Sequence, residues 1–88
     1  MVMHEVTVRY WAAAKDAAGV PTEIVKAEHL SDALEAITKI RPENPRFAAI
    51  ISHSTFLIDD QPAGKRDPAK IPLHSGSTIE VLPPFAGG

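Results

Sequence analysis

The sequence predicts an α+β domain in which helix packs against one face of a single sheet. Alternating strands open and close the chain, an amphipathic helix lies between them, and there are too few helical segments to cover both faces. With 88 residues, the chain has room for one modest core, burying a little over ~60% of its unfolded surface.

The first strand is "HEVTVRYW". Val6, Val8 and Tyr10 fall on one side and Thr7, Arg9 and Trp11 on the other, the period of two expected of a half-buried strand. "AAAKDAAG" predicts a short helix with Gly19 at the left-handed cap, and Pro21 prevents its extension. "TEIVKA", Thr22 to Ala27, reads as a second strand from its β-branched content.

Ser31 is the expected N-cap of the main helix, with Asp32 in the first turn. Leu30, Leu34, Ile37 and Arg41 lie along one stripe, Ala33 and Ile40 beside it, and Pro42 closes the segment. Asn44 followed by Pro45 signals a further short helix carrying Phe47, Ile50 and Ile51. "TFLI" is a third strand, ended by the turn-rich "DDQPAG". The polar stretch through Lys70 is a surface loop, and "IPL" is a brief edge strand or a single turn. After the turn "HSGS", "TIEVL" alternates again, with Ile79 and Val81 inward and Thr78, Glu80 and Leu82 outward.

The chain leaves this last strand through "PPFAGG". Pro83 and Pro84 cannot donate to a ladder and favour an extended path, so the domain is expected over residues 1–82 and a tail over 83–88. Phe85 to Gly88 reach at most roughly 13–14 Å. Gly87 and Gly88 lack Cβ atoms and suit a narrow channel, and a carboxylate at Gly88 is an unhindered acyl group once activated.

Composition excludes several functions. No cysteine is present, so the chain has no disulfide, Cys-type zinc site or thiol nucleophile of its own. Nine Lys+Arg against eleven Asp+Glu give a net charge of −2, without the basic field expected for nucleic acid. No apolar run approaches the ~20 residues that cross a bilayer, and no signal-peptide pattern opens the chain, so no membrane association and a cytoplasmic location are expected.

His4, His29, His53 and His74 lack metal-ligand spacing, and no metal site is expected. Asp59 and Asp60 read as turn formers rather than an acid and base. Ser54 and Ser75 lack a third catalytic partner, and Lys65, Arg66 and Lys70 form a small basic loop suited to solvent or an acidic partner.

Two stretches resemble the ubiquitin-like sulfur carriers of the MoaD/ThiS family, and the likeness spans nearly the whole chain. "VTVRYWAAAKDAAG" is similar to the family's opening strand, aromatic pair and short helix. "PLHSGSTIEVLPPFAGG" is similar to its close, whose paired prolines point to the MoaD branch. "HSGST" stands where many members have an acidic "DGDE", and the "GKRDPAK" loop is long by comparison.

The resemblance implies a β-grasp fold with parallel first and last strands in mid-sheet, which would set Arg9 and Glu80 side by side on the outer face to pair across strands. It also implies that an E1-like adenylating enzyme of the MoeB/ThiF type uses ATP to activate Gly88 as an acyl-adenylate, which sulfur converts to a thiocarboxylate. A large catalytic subunit of the MoaE type, in molybdopterin synthase, would then receive the tail and build the dithiolene of the molybdenum cofactor. Gly88 would carry the chemistry, and Phe85, Ala86 and Gly87 would occupy the partner's tunnel. Trp11, Leu82, Pro83 and Pro84 would form the docking surface, with no bound cofactor. Three alternatives stay open: a carrier for thiamin or cysteine, a ubiquitin-like modifier conjugated through Gly88, and a plain interaction module.

Overall fold

The computed structural model describes residues 2–84. In chain order its elements are β1 (His4–Tyr10), α1 (Ala12–Ala18), β2 (Thr22–Ala27), α2 (Leu30–Lys39), α3 (Pro45–His53), β3 (Thr55–Ile58), β4 (Gln61–Pro62) and β5 (Thr78–Leu82), with a 3-10 turn at Pro68–Lys70. The five strands form one sheet in the order β2-β1-β5-β3-β4. β1 and β5 run parallel at its centre, with Arg9 opposite Glu80, and every other neighbouring pair is antiparallel.

The alternation read from the sequence sets the faces. Val6, Val8 and Tyr10 of β1 and Ile79 and Val81 of β5 are buried, and they meet Leu30, Ala33 and Ile37 of α2 and Phe47 and Ile51 of α3. Each fully buried Val, Ile or Phe contributes about 1.5–3 kcal/mol relative to exposure, so these two central strands anchor the core. α1 packs on α3 and α2 on β2. The main helix is thus joined on its face by two short ones.

α3 begins as expected, with Pro45 inside the first turn and Asn44 Oδ1 accepting the Phe47 N–H at 2.9 Å. α1 ends at Gly19, whose φ of 83° is the left-handed value that its lack of a Cβ permits. Four expectations need correction.

The cap of α2 is His29, not Ser31. Asp32 Oδ2 accepts the His29 N–H at 2.9 Å from the third helical position, so the helix starts two residues earlier than the serine suggested. Ile40, expected beside the buried stripe, is 57% exposed, because α2 ends at Lys39 and the chain turns away.

The stretch "DDQPAG" is more than a turn. Asp59 and Asp60 have φ of 50° and 70°, and Ile58 pairs with Gln61. This is the two-residue hairpin geometry that asks for positive φ at both central positions. Asp59 steadies it by accepting from Thr78 N–H (2.9 Å) and from the Ser77 hydroxyl (3.0 Å). Finally, no Arg9–Glu80 ion pair forms, and both side chains engage Trp11 instead. "IPL" makes an isolated bridge, Pro72 to His29, with Ile71 and Leu73 buried.

Candidate functional site: a groove at the exit of the last strand

β1 and β5 end together at one pole of the sheet, so the residues that follow them are neighbours. Trp11 comes directly after β1 in extended geometry (φ −121°, ψ 148°), which keeps its indole on the outer face, while Leu82 closes β5 opposite Thr55. Trp11, Ala12, Ala13, Thr55, Leu82, Pro83 and Pro84 line one groove of about 580 Å³. All four residues expected to dock a partner therefore lie in a single surface feature.

The indole is held from two sides. Trp11 Nε1 donates to Glu80 Oε1 at 3.1 Å, and the Arg9 guanidinium lies 5.1 Å from the ring centroid. These contacts retain a ring that is 42% exposed in the position that walls the groove. Among the described residues no ionisable side chain lines the groove, and a wall of Trp, Leu, Pro and Ala with the single hydroxyl of Thr55 offers water few partners, as a protein-docking surface does.

Pro83 and Pro84 form a ridge. On its far side Ala13, Ala49, Ile50 and His53 line a second groove of about 270 Å³. The chain thus leaves the sheet between two apolar troughs. Ala12, which lines the first, has φ of 49°, a left-handed conformation that costs a residue with a Cβ about 1–2 kcal/mol.

The predicted chemical residues, Phe85, Ala86, Gly87 and Gly88, lie outside the described residues. Asp59 and Asp60 are turn formers, as expected. Lys65, Arg66 and Lys70 are exposed, and Arg66 donates to the carbonyls of Pro62 and Ala63, securing the loop. Glu28, His29 and Asp32 converge at the start of α2. Asp32 Oδ2 there already accepts two backbone N–H groups, from Glu28 and His29, as a helix cap.

Sequence reasoning missed one charged cluster. Arg41 forks onto Glu23 at 2.7 and 2.9 Å and donates through Nε to Ala18 O and through a terminal nitrogen to Ile37 O, each at 3.1 Å. Its guanidinium lies 4.6 Å from the Phe47 ring centroid, and the Tyr10 hydroxyl donates to Glu23. Burial opposes the charge on Glu23, but the bonds from Arg41 and Tyr10 outweigh it and hold the carboxyl below its ordinary value. Burial, then the bond to Glu23, pushes the Tyr10 phenol upward. The cluster ties the ends of α1 and α2 to β2, behind the groove. Its only sequence signal is Arg41 at the foot of an apolar stripe.

No known family model matches the chain, and no curated protein matches its sequence. Solved structures do. Small archaeal modifier protein 1 from Methanosarcina acetivorans superposes with a TM-score of 0.81 at 24% identity, covering 98% of each chain.

The fold is a ubiquitin-like β-grasp.

Subunit 1 of the molybdopterin-converting factor from Helicobacter pylori, solved as a protein–protein complex with subunit 2, matches with a TM-score of 0.65 at 26% identity over 96% of this chain and 99% of that one. Small archaeal modifier protein 1 from Haloferax volcanii gives 0.73 at 19% identity, with 96% and 99% covered. The β-grasp chain thus resembles in fold both small archaeal modifier proteins and subunit 1 of the molybdopterin-converting factor, the second of which the sequence resemblance anticipated. Among its described residues, no helix is long and apolar enough to cross a membrane.

Proposed function

We propose that this β-grasp protein is a sulfur carrier that docks through the Trp11–Leu82–Pro83–Pro84 groove and presents Gly88 as a thiocarboxylate, serving as the small subunit of a molybdopterin synthase. The observation that carries the reading is the coincidence of the apolar groove with the point where two prolines lead the chain out of a central strand. The partner grips the groove while the Phe85–Gly88 segment enters its active site. An E1-like enzyme transfers AMP from ATP to the Gly88 carboxylate, releasing pyrophosphate. Sulfide-level sulfur then displaces AMP to leave the thiocarboxylate, whose sulfur attacks the pterin substrate in the large subunit; water cleaves the resulting thioester, leaving the sulfur on the pterin and returning the Gly88 carboxylate. The carrier contributes no acid, base or metal to these steps.

Incubation with a matching E1-like enzyme, ATP and a sulfur source tests this directly. Intact-mass spectra should show one terminal oxygen exchanged for sulfur, and addition of the correct large subunit and pterin substrate should return the carboxylate. Spectra that stay at the carboxylate mass throughout oppose the proposal.

The similarity to archaeal modifiers favours a second reading, in which the same activated Gly88 forms an amide with a lysine of another protein. Gly-Gly remnants on lysines of other proteins, dependent on Gly88, are its signature.

A further inference from the structure

Asn44, expected as the cap of α3, performs a second task with the same side chain. Its Oδ1 accepts the Phe47 N–H at 2.9 Å, and its Nδ2 donates, also at 2.9 Å, to Ala17 O in the last turn of α1. Its backbone N–H donates to Arg41 O at 3.1 Å, closing the turn that joins α2 to α3. At the other end of that turn, Arg41 Nε donates to Ala18 O. One turn therefore holds two of the carbonyls that the end of α1 leaves without a helical partner.

The Asn44 amide fits in one orientation only. Turned over, it would set Nδ2 against the Phe47 N–H and Oδ1 against the Ala17 carbonyl, donor facing donor and acceptor facing acceptor. The side chain thus specifies both partners, a capped α3 and a fastened α1.

The fastened ends lie away from the grooves. Asn44 joins the end of α1 to the start of α3, whereas Ala13, near the start of α1, meets Ala49, Ile50 and His53 from the later part of α3 across the second groove. Ala13 also lines the first groove beside Trp11 and Leu82. Trp11 is attached to the same helix, because its carbonyl accepts the N–H groups of Ala14 at 3.0 Å and Lys15 at 3.3 Å. About one helical turn, roughly 6 Å, separates Ala17 from Ala13. The backbone bonds of α1 make it a short rod, so a tilt at Ala17 is passed to Ala13 and Trp11.

We infer that Asn44 is a positioning residue for the docking site, setting the spacing of α1 and α3 and, through Ala13 and Trp11, the shape of both grooves beside Pro83 and Pro84. Asn44 lines neither groove, so its influence on them passes through α1. Its effect on partner affinity rests on the docking reading given above, whereas its effect on groove geometry does not.

Asn44→Asp separates the two tasks. A carboxylate caps α3 as well as the amide does, but it has no donor for Ala17 O and repels the carbonyl end of α1. Asn44→Ser keeps a capping hydroxyl too short to reach Ala17 and adds no charge. Both variants should be folded by circular dichroism, with the urea midpoint of Asn44→Asp close to that of the wild type. NMR of the free proteins should show the Ala13 methyl and Trp11 indole N–H signals moved in both variants, further in Asn44→Asp. Calorimetry against the matching large synthase subunit should show affinity reduced roughly 3–10-fold, the worth of one hydrogen bond.

Folded variants whose Ala13 and Trp11 signals coincide with those of the wild type overturn the inference. So does unchanged affinity in both Asn44 variants while Trp11→Ala weakens binding, the mark of a cap that is structural only. If Trp11→Ala binds as tightly as the wild type, the docking reading itself fails, and the Ala13 and Trp11 signals alone decide the role of Asn44.

Discussion

Arg41→Ala should destabilise the fold by about 3 kcal/mol. The side chains of Arg41 and Glu23 are only 11% and 18% exposed, and no buried side-chain polar atom among the described residues lacks a partner. Removing the guanidinium leaves Glu23 with only the Tyr10 hydroxyl, strips donors from Ala18 O and Ile37 O, and takes a cation from the Phe47 ring. Removal of one partner from a buried ion pair costs about 3–5 kcal/mol, and the residual exposure of this pair places it at the lower end. A domain of this length holds roughly 4–13 kcal/mol in total, so the variant should melt about 12–24 °C lower and unfold at much lower urea. Arg41→Lys keeps the charge without the fork and should recover only part of the loss.

The pH dependence has a definite sign. Glu23 is depressed below the ordinary carboxylate value of 4.5, so its stabilisation is full above that pH and declines as pH falls through the folded-state value. Tyr10 is raised above the ordinary phenol value of 10.0, so its contribution is lost as pH rises past 10. Urea titrations at neutral pH, through the acid limb and above pH 10 measure both effects. A loss below ~1 kcal/mol for Arg41→Ala, or an acid limb unchanged in Glu23→Gln, refutes the reasoning.

Ala12→Gly removes the Cβ from a left-handed position and should raise the melting temperature by about 4–8 °C, corresponding to ~1 kcal/mol. Asp59→Ala deletes the acceptors of Thr78 N–H and the Ser77 hydroxyl and should cost about 1–3 kcal/mol in urea unfolding. Trp11→Ala should weaken binding of the large subunit by at least ~10-fold in calorimetry, while stability changes far less, since the ring is 42% exposed.

The central strands were legible because their alternation is uninterrupted from Val6 to Trp11 and from Thr78 to Leu82, and the same parity placed Trp11 and Leu82 on one face. α3 was legible because Asn44 and Pro45 perform standard tasks at a helix start. His29 escaped notice because Asp32 supplies the cap from inside the helix. The β3–β4 hairpin escaped because aspartates occupy positive-φ positions more often marked by Asn-Gly. The Glu23–Arg41 fork joins residues 18 apart in the chain, and no local period reports such a pair. Arg9 and Glu80 were placed correctly, but Trp11 outcompetes the ion pair by offering one a ring face and the other an N–H.

The most direct test is recovery of the protein from cells with its bound partners, followed by mass spectrometry of both the partners and the C-terminal peptide. The account predicts a fraction of the peptide with sulfur in place of one oxygen at Gly88, together with a large synthase subunit whose capture is lost in Trp11→Ala. A peptide found only as carboxylate, with Gly88 joined to lysines of other proteins, contradicts it.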